Sequence, residues 1–116
     1  MSVGAQEARG AEPPVVAWLN RRVARSPADL CARMTAALLD ATVTRAPASA
    51  LLLEAAAQCI ARALALGRDR RAALELLAAD GLLTVACDAA AEEGDARDFP
   101  RRVSVRLATL LPAVAP

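Results

Sequence analysis

One stretch limits what this chain can fold into more than any other: Asp69 to Glu93, DRRAALELLAADGLLTVACDAAAEE. A surface helix keeps a single apolar stripe. Wound as a helix, this one places Leu74, Leu77 and Val85 on one side and Leu76, Leu83, Cys87 and Ala90 on another. The expectation is a central helix buried nearly all round. From its middle onward the polar positions are Asp80, Thr84, Asp88 and Glu92, which recur every fourth residue and form one narrow ridge for water. That ridge crosses Gly81 without a change of phase, which favours one continuous helix of roughly 37 Å over a break at AADG with a restart at Leu82.

A second segment is almost as apolar. Between Pro47 and Leu66 the polar interior positions are Glu54, Gln58 and Arg62, again four apart, while Leu52, Leu53, Ala56, Ile60 and Leu64 fill the rest of the circumference. Gly67 follows as the expected C-cap, free to adopt the left-handed conformation, and Arg68, Asp69, Arg70 and Arg71 make a turn too short for anything but an antiparallel hairpin. Trp18 and Phe99 are the only aromatic residues, so the core must be made of Leu, Val and above all Ala. Abundant Ala and Leu with few β-branched residues point to helix over strand.

The remaining elements are smaller. Residues 1–12 lack apolar periodicity and read as a disordered tail, leaving residues 13–112 as a single domain. Pro13 and Pro14 suit the first turn of a helix with an inward stripe of Val15, Leu19 and Val23, Trp18 beside it, and Arg21, Arg22 and Arg25 at its end. Ser26-Pro27-Ala28-Asp29 carries a restart signal in which the serine caps. The helix it opens runs to about Ala41, with Leu30, Met34, Ala37, Leu38 and Ala41 inward and Cys31 to the side. Thr42 to Ala46, with Val43 between two threonines, loses the pattern. Glu92 to Asp98 reads as an acidic loop, and Pro100 opens a last helix with Val103, Leu107, Leu110 and Leu111 on one face, although Val103, Val105 and Leu107 alternate as a strand would. Pro112 and Pro116 fray its end. The fold class is therefore all-α: a compact bundle of about five helices around a buried antiparallel helical hairpin.

Composition narrows the chemistry. All 14 basic residues are arginine, and histidine and tyrosine are absent with lysine. The chain has no imidazole base, no amine for a Schiff base and no phenolic acid, so no enzyme and no cofactor is expected. Gly-rich phosphate loops and serine elbows are missing too. Asp80 and Asp88 share a helical face, but a solvent ridge does not shift carboxylates into catalytic range. Cys31, Cys59 and Cys87 stand 28 residues apart each time. Neither leucines nor caps recur at that offset, and thiol metal ligands usually come in close pairs or with histidine, so all three read as buried core filler in a reducing compartment.

Arginines gather at three places: Arg21, Arg22 and Arg25; Arg68, Arg70 and Arg71; Arg101, Arg102 and Arg106. Arg68, Arg70, Arg71, Arg101 and Arg102 lie at or beside helix N-termini, where they form a candidate anion-binding patch. The competing reading is of solvated helix ends paired with Asp69 and with Glu92, Glu93, Asp95 and Asp98. A net charge of +1, no lysine and almost no stacking aromatics speak against nucleic acid. The opening residues lack the basic start and apolar core of a secretory signal, and no uncharged run approaches the roughly 18 residues of a membrane span, so no membrane is expected and the protein reads as cytoplasmic. Two helices that are apolar over most of their circumference, with three modest helices to cover them, favour a non-enzymatic interaction or assembly module, either a homo-oligomer or one with a heteromeric protein partner. The alternative is a small helical binding protein for an apolar or anionic ligand, with arginines at the pocket mouth.

Overall fold

In the computed structural model, which describes residues 12–42 and 45–111, the chain forms α1 (Pro14–Arg22), α2 (Ala28–Ala41), α3 (Ala48–Leu66), α4 (Arg71–Glu92) and α5 (Phe99–Ala108), with no strand among the described residues. The expected tail up to residue 11, Val43 between its threonines and the frayed end from Pro112 lie outside the described residues.

The hairpin of α3 and α4 is the centre of the bundle. Gly67 ends α3 with φ +59°, a backbone conformation that side-chain-bearing residues rarely adopt. Each helix of the pair has a carboxylate on its N-terminus. Asp69 accepts the Arg71 amide at 2.9 Å at the start of α4, and Glu93, just past the end of α4, accepts the Ser49 amide at 3.0 Å and the Ser49 hydroxyl at the start of α3. A negative charge there satisfies otherwise unpaired N–H groups and complements the helix dipole. Ser49 is fully buried and spends its polarity on this contact.

Alanine forms most of the seam. The buried positions of α4 are Ala72, Ala78, Ala79, Leu82, Val85, Ala86, Ala89 and Ala90, facing Leu52, Ala55, Ala56, Cys59 and Ala63 of α3. The expectation that α4 would be buried nearly all round is corrected here: Leu76 and Leu77 are 53% and 56% exposed, and Leu64 on α3 is 51% exposed. The small residues let the backbones approach, so the leucines are pushed to the flanks, where there are too few neighbours to cover them. The Asp80, Thr84, Asp88 and Glu92 ridge is exposed as expected, and the helix runs unbroken through Gly81.

Gly81 is where α2 crosses. A Cβ built on it would lie 2.7 Å from the Met34 sulfur, so a glycine is what admits this buried methionine. Met34, Ala37, Leu38 and Ala41 form the buried face of α2, with Leu30 half-buried at its edge. Ser26 does not cap this helix. Pro27 takes an extended conformation at the N-cap position, which moves Ser26 outside the helix, and Asp29 instead accepts the amide of Leu30. The inward stripe at α1 is Val16, Leu19 and Val23; Leu19 and Val23 are buried as expected, but Val16, three residues before Leu19, takes the place expected of Val15, which is half-buried.

The last segment is a helix despite its alternating valines: Val103 is half-buried and Val105 exposed. Its main anchor is Phe99, 1% exposed, which sequence reasoning did not place in the core. Arg106 then grips Glu54 of α3 with two hydrogen bonds of 2.9 Å. Leu111, expected on the inward face, is exposed.

Candidate functional site

The arginines of the candidate anion-binding patch fall into two groups. Arg68 and Arg70 are exposed in the turn between α3 and α4, with Arg71 paired to Asp69 at 2.9 Å. The Arg71 guanidinium and amide together hold the Asp69 carboxyl down to about 2. Arg101 and Arg102 are exposed at the start of α5, where Arg102 pairs with Asp95 and lies over the Phe99 ring at 5.4 Å. The 22 residues of α4 separate the groups by about 33 Å. They do not form one surface. In the third cluster, Arg22 lies 4.6 Å over the Trp18 ring and reaches Asp88 at 3.2 Å and Glu92 at 2.9 Å, tying α1 to the polar ridge of α4.

The thiols divide as well. Cys59 is fully buried, but Cys31 is only half-buried and Cys87 is exposed, which corrects the expectation of three core cysteines. Cys87 lies on the flank of α4 with Leu76 and Leu83, outside the alanine seam. The Cys31 thiol donates to the Val23 carbonyl at 3.1 Å and closes the turn between α1 and α2. Among the described residues no three His, Cys, Asp or Glu side chains gather where they could hold a metal ion.

Two ionised groups that sequence reasoning passed over meet in the interior. Arg33 Nε of α2 donates to Glu75 Oε1 of α4 at 2.7 Å, the side chains being 14% and 12% exposed. Arg33 Nη2 and Glu75 Oε2 are buried and have no hydrogen-bond partner. The pair adjoins Cys59 of α3, so one residue from each of the three core helices meets at this point. Burial pushes the Cys59 thiol up to about 11; the Arg33 guanidinium draws it down and the Glu75 carboxylate adds to the rise. A thiol held protonated is a poor nucleophile and a poor metal ligand. Glu75 was detectable in principle, since it precedes Ala79 and Leu82 by one and two turns and so stands in the inward stripe. Its partner, 42 residues away, was not.

At the opposite end of the hairpin from the Gly67 turn lies a cleft of about 600 Å³. Its walls come from Pro13, Pro14, Val15 and Trp18 at the start of α1, Thr42, Arg45 and Ala46 between α2 and α3, Ala48 and Leu51 of α3, and Ala89, Glu92 and Glu93 at the end of α4. The walls are mostly apolar, with charged groups at the mouth. By length and composition α3 would also suit a membrane crossing, yet half of its apolar window is buried among the other helices, as in a core helix.

No protein family, characterised protein or solved structure matches this chain. The fold and these sites define the protein as a small all-helical bundle built on an alanine-seamed hairpin.

Proposed function

We propose that this protein is a non-enzymatic assembly module that pairs with a second copy of itself through the Gly67 end of its hairpin. The observation that carries this reading is the exposure of Leu64, Leu76 and Leu77, each more than half open to solvent. All three lie within about two helical turns of the Gly67 end. Single exposed leucines are ordinary on a monomer, but three large ones toward one end of the hairpin leave apolar surface that gains from being covered. A twofold pairing would set like helices against each other, the commonest arrangement for a small chain. The exposed arginines of the turn, Arg68 and Arg70, would rim the contact and set its register. Three unpaired thiols suit the reducing cytoplasm we propose for it. The missing imidazole, amine and phenol agree with a role without catalysis.

Light scattering coupled to size exclusion tests the proposal. The expected result is twice the 12.0 kDa chain mass at micromolar concentration, returning to 12.0 kDa when Leu76→Glu and Leu77→Glu are combined. A mass of 12.0 kDa for the wild type across the micromolar range would overturn self-pairing and direct attention to a different protein partner.

A further inference from the structure

The cleft far from that leucine end is independent of any pairing. We propose that it binds a free amphipathic anion: a slender apolar body carrying a single carboxylate or sulfonate head.

Its volume of about 600 Å³ falls within the range of roughly 300–1,000 Å³ found for small-molecule sites. The size therefore suits one small molecule. Val15, Trp18, Leu51 and Ala89 supply apolar wall, which calls for an apolar body.

Charge at the mouth selects the head group. Glu92 shares Arg22, at 2.9 Å, with Asp88, and Glu93 accepts from the amide and hydroxyl of Ser49. Both carboxylates thus already hold donors from within the protein. Arg45 is exposed and makes no hydrogen bond or ion pair with any other described residue. It is the cation with donors to spare, and its guanidinium fork suits a carboxylate. The body would lie against Trp18 with the head outward at Arg45.

Trp18 is the only tryptophan in the chain, so indole emission reports on this cleft alone. Three probes with the same tail separate the head groups: decanoate, decan-1-ol and decyltrimethylammonium, each titrated below its micelle concentration and checked by calorimetry. Decanoate is expected to saturate at one per chain and to bind about two- to fivefold tighter than the alcohol, the size of one solvent-exposed ion pair. Arg45→Gln, a change on an exposed connection, should bring decanoate down to the level of the alcohol and leave the alcohol unaffected. Ala48→Phe, which fills the mouth of the cleft, should abolish binding of both, with circular dichroism verifying the fold. Several outcomes would overturn the proposal: no saturable binding of decanoate, equal binding in the Arg45→Gln variant, or preference for the trimethylammonium probe. A Trp18 emission that shifts on dilution without any probe would also overturn it, because a second copy would then be covering the cleft. So would sedimentation of the protein with phosphatidylglycerol vesicles in the absence of decanoate binding, because the surface would then be reading a membrane.

Discussion

At the scale of single residues, the environment of each cysteine decides its chemistry. Cys59 is packed between the hairpin helices beside a buried ion pair, Cys31 donates a hydrogen bond from its thiol to a backbone carbonyl, and Cys87 is exposed to water. Their equal spacing in the sequence concealed this, because the 28-residue interval says nothing about which side of a helix each one occupies. What the interval omits is the face: Cys87 lies eleven residues after Leu76, on the same exposed flank of α4. Labelling of the native protein with Ellman's reagent should therefore give one fast equivalent from Cys87 and a slower one from Cys31, with Cys59 reacting only on unfolding. Cys87→Ser should remove the fast phase. Rapid reaction at Cys59 would show that the junction with Arg33 and Glu75 opens in the native state. The raised thiol also fixes a sign. Cys59 contributes stability that is fully present below the ordinary thiol value and is lost as pH climbs through about 11, where the folded thiol also ionises.

Among the elements, the contact between α2 and α4 shows how one atom decides a helix's sequence. Glycine inside a helix costs about 1 kcal/mol against alanine. Here the lost propensity is offset by the Met34 sulfur, which occupies the position that a Cβ on Gly81 would need. Gly81→Leu is expected to destabilise by about 1–3 kcal/mol through overpacking, despite the better propensity of leucine. Gly81→Ala should yield less than its propensity gain in the wild type and the full gain in a Met34→Ala background, where the obstacle is gone. Denaturant midpoints for the four proteins test this; an equal effect of Gly81→Ala in both backgrounds would remove Met34 as the cause. The continuity of α4 was legible from the unbroken Asp80 to Glu92 ridge. The identity of the neighbour was not, since nothing local relates Gly81 to a methionine 47 positions earlier. Caps were legible where glycine or proline imposed them, as at Gly67 and Pro14. They failed at Ser26, where a proline held the cap position itself, and at Ser49, whose carboxylate arrives from the far end of another helix.

On the scale of the whole molecule, helix count, order and the central hairpin follow from period and punctuation, while coverage does not. Apolar circumference shows how much surface a helix would gain by burying, but the number and size of its neighbours determine how much is buried, and Leu64, Leu76 and Leu77 remain outside for that reason. The cleft was likewise out of reach, being assembled from three segments distant in sequence. The same arithmetic leaves α5 lightly held: Phe99 anchors its start, Val103 is half-buried, and beyond them the chief tie to the hairpin is Arg106 on Glu54. The guanidinium holds the Glu54 carboxyl below its usual range, by its hydrogen bonds first and its charge second, against the opposing effect of partial burial. A carboxylate lowered in the folded state contributes stability that is present above its unfolded value and disappears as pH falls through the folded one. With 43% of the Glu54 side chain exposed, solvent screening reduces the contribution to about 0.5 kcal/mol. At neutral pH, Glu54→Gln should thus be less stable than the wild type by about that amount. Below the ordinary carboxylate range the two profiles should converge, and hydrogen exchange in α5 should accelerate in the wild type over the same interval. Parallel profiles across that interval, or α5 amides that exchange at a rate independent of the substitution, would show that Phe99 alone holds the last helix in place.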